Sequence, residues 1–245
     1  YPDGFLPIIA PRVTDASAAF GVAWSWGEWA MDSSLVYGYN KMEFTIKNTL
    51  NRSLGVESGT EFDAGGFDYD QAVFNFSGIR ELDWGLASPV NLAAGLEARL
   101  ETYSIFAGEP DSYRNGGVRI PIGSGGCTGS SVTPAVIAQG GCNTSSGAQV
   151  FPGFQPQNEV DAKRTAVGAY VDLEANLTEK LLGSVAVRVE DYSDFGSNVS
   201  GKLSLRYDFT EDFALRGSVS NGFRAPSLQQ QFFATTSTNF INGVP

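Results

Sequence analysis

The sequence predicts an all-β fold: an antiparallel up-and-down meander of about eight long strands, part of a larger transmembrane β-barrel. Three observations carry this. Apolar and polar residues alternate with period 2 over long runs, most runs reach ten residues or more, and the links between them alternate between short and long. Strands in soluble sheets usually run about five or six residues. A tilted strand needs about nine to eleven to cross a bilayer.

The clearest run is 91–106, NLAAGLEARLETYSIF. Leu92, Ala94, Leu96, Ala98, Leu100, Thr102, Ser104 and Phe106 share one face, while Asn91, Glu97, Arg99, Glu101 and Tyr103 share the other. Alternation of this kind places one face against an apolar phase and the other against water. Residues 164–177 repeat it: Val167, Ala169, Val171, Leu173 and Leu177 oppose Arg164, Tyr170, Asp172, Glu174 and Asn176. Residues 199–209 set Val199, Leu203, Leu205, Tyr207 and Phe209 against Lys202, Arg206 and Asp208. Weaker runs occupy about 17–26, 29–42, 71–84, 182–192 and 213–222.

The connections add direction. Gly27-Glu28, Gly85 to Pro89, Thr178 to Leu181 and Thr210 to Asp212 are short. Between them lie longer links at about 43–70, at about 107–163 and, more modestly, at Ser193–Asn198. Strict alternation puts every short turn at one end and every long loop at the other, the asymmetry of bacterial outer-membrane barrels. A two-residue turn at Gly27-Glu28 makes Trp26 and Trp29 cross-strand partners.

Trp24, Trp26, Trp29 and Trp84 fall near short turns, and Tyr37, Tyr39 and Tyr103 nearer the opposite strand ends. Two aromatic bands at strand ends are what a membrane interface selects. Ordinary core aromatics are the other reading, and they would sit mid-strand more often. The polar faces mix both signs of charge, which also fits the solvated face of a soluble sheet. A soluble secreted β-sheet binding or adhesion module is therefore the alternative, although it does not account for the strand lengths and loop alternation. A diffusion porin would share the barrel.

Composition excludes other classes. The 245 residues include 29 glycines and carry a net charge of −11, which disfavours nucleic acid because phosphate contacts need a basic face. Histidine is absent, so Ser-His and Cys-His nucleophile pairs and the commonest zinc ligand are missing. No apolar run approaches the length of a membrane helix. Gly123–Gly126, GSGG, lacks the lysine of a phosphate loop. Asp63, Asp68 and Asp70 offer oxygens but fit no EF-hand spacing. The sequence thus points to no enzyme, no metal and no cofactor.

Cys127 and Cys142 are the only cysteines and lie in a Gly/Ser-rich stretch. Their even count and polar setting fit a disulfide in an oxidising compartment, with two free thiols as the other possibility. The chain opens at Tyr1 without a visible targeting segment and stops at Pro245 in a loop-like stretch, so both ends read as cut from something longer.

With these residues in view, the chain resembles a piece of a TonB-dependent outer-membrane receptor. GLEARLETYSIFAGEPDSY (Gly95–Tyr113) is similar to a recurring barrel strand and loop start of that family. SVSNGFRAPSLQQ (Ser218–Gln230) resembles its mid-barrel arginine–alanine–proline signature, and FDAGGFDYDQAVFN (Phe62–Asn75) another approach from loop to strand. The resemblance covers nearly all of residues 1–245, read as one partial barrel domain. It implies a parent protein with a plug domain, remaining barrel strands, a TonB contact in an N-terminal part, and a location in the outer membrane of a Gram-negative bacterium. The implied activity is energy-coupled uptake of a scarce solute such as a siderophore, cobalamin or a saccharide.

On this reading Glu97, Arg99, Glu101, Asp172 and Glu174 are expected to face the lumen, and Leu92, Leu96, Leu100, Val171 and Leu173 the lipid. The chain is expected to leave the wall at about Phe223–Pro226 and fold inward, because Gly222 permits a bend and Pro226 has no amide hydrogen to donate. Arg224 is the expected pin of that corner. Gln229 and Gln230 are candidates to meet a polar ligand.

Overall fold

A computed structural model describes residues 4–236. The eight long strands are β1 (Ile8–Trp26), β2 (Trp29–Lys47), β3 (Glu61–Leu82), β4 (Val90–Phe106), β7 (Val160–Thr178), β8 (Leu181–Tyr192), β9 (Gly196–Asp208) and β10 (Ala214–Ser220). They form one antiparallel sheet in chain order. A small ribbon of β5 (Arg119–Ile120) and β6 (Cys142–Asn143) lies in the longest loop, and the described residues also form short helices α1 (Pro110–Tyr113), α2 (Pro134–Ala138) and α3 (Leu228–Phe232) and 3-10 turns at Arg52–Glu57, Gly129–Ser131 and Pro156–Asn158. Among the described residues no helix is long and apolar enough to cross a membrane.

The meander stands, but several boundaries move. The first strand begins at Ile8, not near 17, and the link expected at 43–70 shrinks to 48–60. Asp63, Asp68 and Asp70 belong to β3, which runs for 22 residues and pairs them with Thr45, Lys41 and Tyr39. Acidic and glycine residues there resemble a loop in sequence. Gly66 instead serves close packing, since a Cβ would come within 2.1 Å of the Met42 carbonyl oxygen. The longest link ends at 159, not 163. Between β8 and β9 only 193–195 remain, so the alternation of short and long links is not strict.

Register defines two faces. Glu97 lies across from Gly168, Arg99 from Ala166, Glu101 from Arg164, and Asn91 from Glu174. Asp172 follows on this polar face opposite Ala93. The other face carries Leu92 opposite Leu173, Ala94 opposite Val171 and Leu96 opposite Ala169. Leu96, Leu100, Val167, Val171, Val187 and Leu203 are all exposed there. Trp24, Trp26 and Trp29 sit on this apolar face at the short-turn end, with Tyr37 and Tyr39 towards the other. Tyr103 does not join that band. It points to the polar face and is buried with Ile105, Phe154, Ala162 and Leu228.

The buried core lies on the polar face at the long-loop end. Phe44, Phe67, Phe151 and Phe154 pack there with ring centroids 5.4–6.3 Å apart. The loop 107–159 is tied to the wall by backbone bonds from Gly108 to Phe154, from Phe154 to Ala64 and from Glu109 to Asp63. Cys127 and Cys142 are bonded, with their Cα atoms 5.5 Å apart, and form a small buried cluster with Val136, against which Ile120 and Val132 pack. Reduction is expected to cost this loop about 3 kcal/mol of local stability in the chain-entropy picture. Protease cleavage between 118 and 143, timed with and without reductant, checks it. Equal rates would deny the bond a structural role.

The described sheet is open, with β1 and β10 each paired on one side only. Unpaired edges recruit other strands. The isolated polypeptide is therefore expected to aggregate or exchange strands between copies. Sedimentation that finds a detergent-free monomer would contradict this.

Candidate functional site

The site lies on the polar face, where the chain leaves β10. Asn221 still caps the sheet edge through bonds with Val199 and Gly201. Residues 221–227 then lie outside any strand and lead into α3, whose Ser227 and Gln230 form a reciprocal cap. Leu228 buries itself against Tyr103, Ile105 and Ala162. Phe233 stacks edge-on against Phe67 and Phe154. The segment thus folds over the polar face and is stapled there by apolar contact.

Arg164 of β7 is the polar pin. Its side chain is 3% exposed. Nε donates to both oxygens of Asp194 at 3.0 and 2.9 Å, and Nη2 donates to the Pro226 carbonyl oxygen at 2.8 Å. Nη1 stands 3.6 Å from Glu101 Oε2. The guanidinium also lies over the rings of Phe195 and Tyr192 at 5.4 and 5.9 Å. Only a planar fork with five donors can meet partners in this many directions. Gln231 Nε2 adds bonds to Asp194 and Pro226 at 3.3 Å each. Burial pushes the Asp194 carboxyl up, and the bonds from Arg164 and Gln231 outweigh that and hold it below the ordinary aspartate value.

Glu101, ion-paired with Arg164, accepts a hydrogen bond from the Tyr69 hydroxyl at 2.6 Å. Glu97 binds Arg99 at 2.7 Å and Arg188 at 3.3 Å, and Arg188 binds Glu190 at 2.8 Å. With Arg224, the Tyr69, Arg99, Glu101, Arg164, Arg188 and Glu190 side chains border a recess of about 500 Å³ beneath the inward segment, and Glu97 lies outside it. A second recess of about 580 Å³ nearer the short turns brings Glu174 together with Lys202, Arg206 and Arg216. Alternating charges at this density suit recognition of a polar or ionic surface. Asp172 stands apart from both recesses, between Ala93 and Ala186.

Within this chain the corner is held by Arg164 and not by Arg224, the expected pin, whose anticipated partners included the plug. Arg224 is exposed, and among the described residues it makes no hydrogen bond or ion pair. Pro226 offers its carbonyl to Arg164 instead, from 62 positions away in sequence. Both glutamines are exposed, but the Gln230 side chain is spent on capping α3. Sequence reasoning placed Arg164 on the polar face without singling it out. Its one local signal is a charge in the first part of a strand, and its partner Asp194 lies in a turn 30 residues on.

An antiparallel meander, apolar on one face and charged on the other, with a loop and a helix folded over the charged side, defines a section of barrel wall. The chain belongs to the TonB-dependent receptor family: the family model described as TonB dependent receptor-like, beta-barrel, matches residues 7–244. Over 74 residues it is 31% identical to the Vitamin B12 transporter BtuB of Vibrio cholerae serotype O1, covering 30% of this chain and 12% of that transporter. It superposes on the siderophore receptor PirA from Acinetobacter baumannii with a TM-score of 0.53 at 17% identity, covering 88% of this chain and 26% of that receptor. At that identity the likeness shows the fold. The chain spans only a minor part of either protein.

Proposed function

We propose that this chain is wall from an outer-membrane receptor of a Gram-negative bacterium, one that takes up a scarce solute with energy delivered through TonB. A siderophore, cobalamin or a saccharide is the class of cargo. The apolar face meets outer-membrane lipid, and the polar face meets the lumen. The plug, the remaining strands and the TonB contact belong to the parent chain. The observation that carries this reading is the pinned segment 221–233 over a charged recess, together with the membership of the family. It is the place where a wall strand ends and its continuation reaches across the polar face.

The exposed apolar band counts against the soluble module. Leu96, Leu100, Val167 and Val171 would form a large water-facing patch, which soluble proteins avoid.

Arg224 then acts as an exposed cation beside the recess rather than as a brace. Arg224→Ala in the parent receptor is expected to leave surface level intact and to lower uptake in energised cells. Radiolabelled ferric siderophore, cobalamin and oligosaccharide, each with and without an uncoupler, measure this. Uncoupler-insensitive entry of all three would defeat the receptor reading. Unchanged uptake by the variant would defeat only the role of Arg224.

A further inference from the structure

The polar recess nearer the short turns, of about 580 Å³, is built differently from the one beneath the inward segment. Ser184, Ser204 and Ser218 lie in one cross-strand row over β8, β9 and β10, and Glu174 ends the row on β7. Small side chains make this row the floor. Lys202 stands on its long-loop side, and Arg206 on its short-turn side, directly opposite Arg216 of β10. Strand alternation keeps all of these on the polar face. Cations thus bracket a floor of hydroxyls.

Nearer the long loops the cations of this face are matched by carboxylates. Arg99 and Arg188 meet Glu97, Arg188 also meets Glu190, and Arg164 meets Glu101 and Asp194. Around the serine row they are not. Among the described residues Lys202 and Arg216 make no ion pair or hydrogen bond, and the hydroxyls of Ser184 and Ser218 have no partner. Arg206 is paired with Asp208, but both side chains are well exposed, and such a pair contributes little. Like charges directly opposite each other destabilise an antiparallel sheet, so an anion between Arg206 and Arg216 relieves a repulsion. A strand beyond β10 does not neutralise Lys202, whose cross-strand neighbours Ala186 and Ser220 are already in place. Guanidinium groups bind phosphate and carboxylate oxygens through paired N–H bonds, and serine hydroxyls donate to the oxygens that remain. A net-positive recess in a chain of net charge −11 is therefore suited to an oxyanion.

We propose that this recess is an oxyanion site on the lumen side of the wall, taking a phosphate or carboxylate group of the solute once it has passed the segment 221–233. The site stands on its own residues, and its use by a solute rests on the receptor reading above. The parent receptor, purified in mild detergent, is titrated with inorganic phosphate in a calorimeter, with chloride holding ionic strength constant so that screening does not change. Wild type is expected to bind one phosphate at this site. Arg216→Gln and Lys202→Gln are each expected to weaken binding about tenfold. Glu174→Gln is expected to strengthen it about threefold, because a neighbouring negative charge is removed. All three side chains are exposed, and resistance to cold detergent denaturation shows that the variants are folded. Absence of phosphate binding by wild type overturns the proposal, and is the result expected if a carboxylate of the plug already fills the recess. Wild-type affinity in either folded cation variant also overturns it, as does weaker binding by Glu174→Gln. Uncoupler-insensitive entry of every solute is a separate failure, that of the receptor reading, and leaves the titration unchanged.

Discussion

Arg164→Ala in the parent receptor is expected to cost about 3–5 kcal/mol, the range for removing one partner from a buried charge cluster. The residue is almost wholly buried, and so is Glu101, at 8% side-chain exposure. Truncation removes the cation from beside the Glu101 and Asp194 carboxylates, which keep only neutral donors, Tyr69 and Gln231, and leaves the Pro226 carbonyl held only by Gln231. Arg164→Lys is expected to recover little, because an ammonium cannot serve Asp194, Glu101 and Pro226 at once. Denaturant unfolding measures the loss, and protease cleavage at 221–233 reports release of the segment. The latch should also respond to acid. Asp194 is held below the ordinary aspartate value, so its contribution is fully present above that value and disappears as pH falls through the depressed one. Cleavage at 221–233 should rise across that acid window in wild type and already be high in Arg164→Ala. Equal resistance of both proteins at neutral pH would show that the apolar staple alone holds the segment.

Leu96→Arg is expected to cost about 2–4 kcal/mol, the penalty for a cation on a lipid-facing barrel position near the bilayer midplane. Leu96 is the middle of the apolar series Leu92, Ala94, Leu96, Ala98 and Leu100, and its side chain is exposed on the face opposite the ion pairs. Asn91→Arg tests the other face. It lies across from Glu174, beside the shorter turns, and should change stability by less than about 0.5 kcal/mol. Both variants are compared by urea unfolding in lipid vesicles. Similar losses at the two positions would mean that the faces are assigned wrongly.

The meander was legible because its central strands separate two phases. Leu92 to Leu100 and Val167 to Leu173 alternate cleanly, and the alternation records which side is apolar. It fails where strands continue beyond the apolar band. At 61–70 both faces are polar or packed by loop residues, so Glu61, Asp63, Asp68 and Asp70 read as a loop while their backbones stay in the ladder. The same holds for 8–16, where Pro11 and Asp15 mask a strand paired with β2. The inward corner was legible from Gly222 and Pro226. Its brace was not, because a pin made by residues 164, 194 and 226 leaves no local pattern. Arg224 drew notice by standing next to the corner in sequence, which says nothing about which guanidinium reaches it.

The unequal links leave this arc of the rim with a skyline. Over β4 and β7 rises a cross-linked tower, residues 107–159, while over β8 and β9 the crest drops to Ser193, Asp194 and Phe195. On the receptor reading proposed above, a solute arriving from outside would meet a parapet on one side and a low sill on the other. The sill is where Asp194 fastens Arg164. On that reading the lowest crossing of this stretch of wall would pass the fastening itself, and a change at Ser193–Phe195 would be felt by the segment that Arg164 holds.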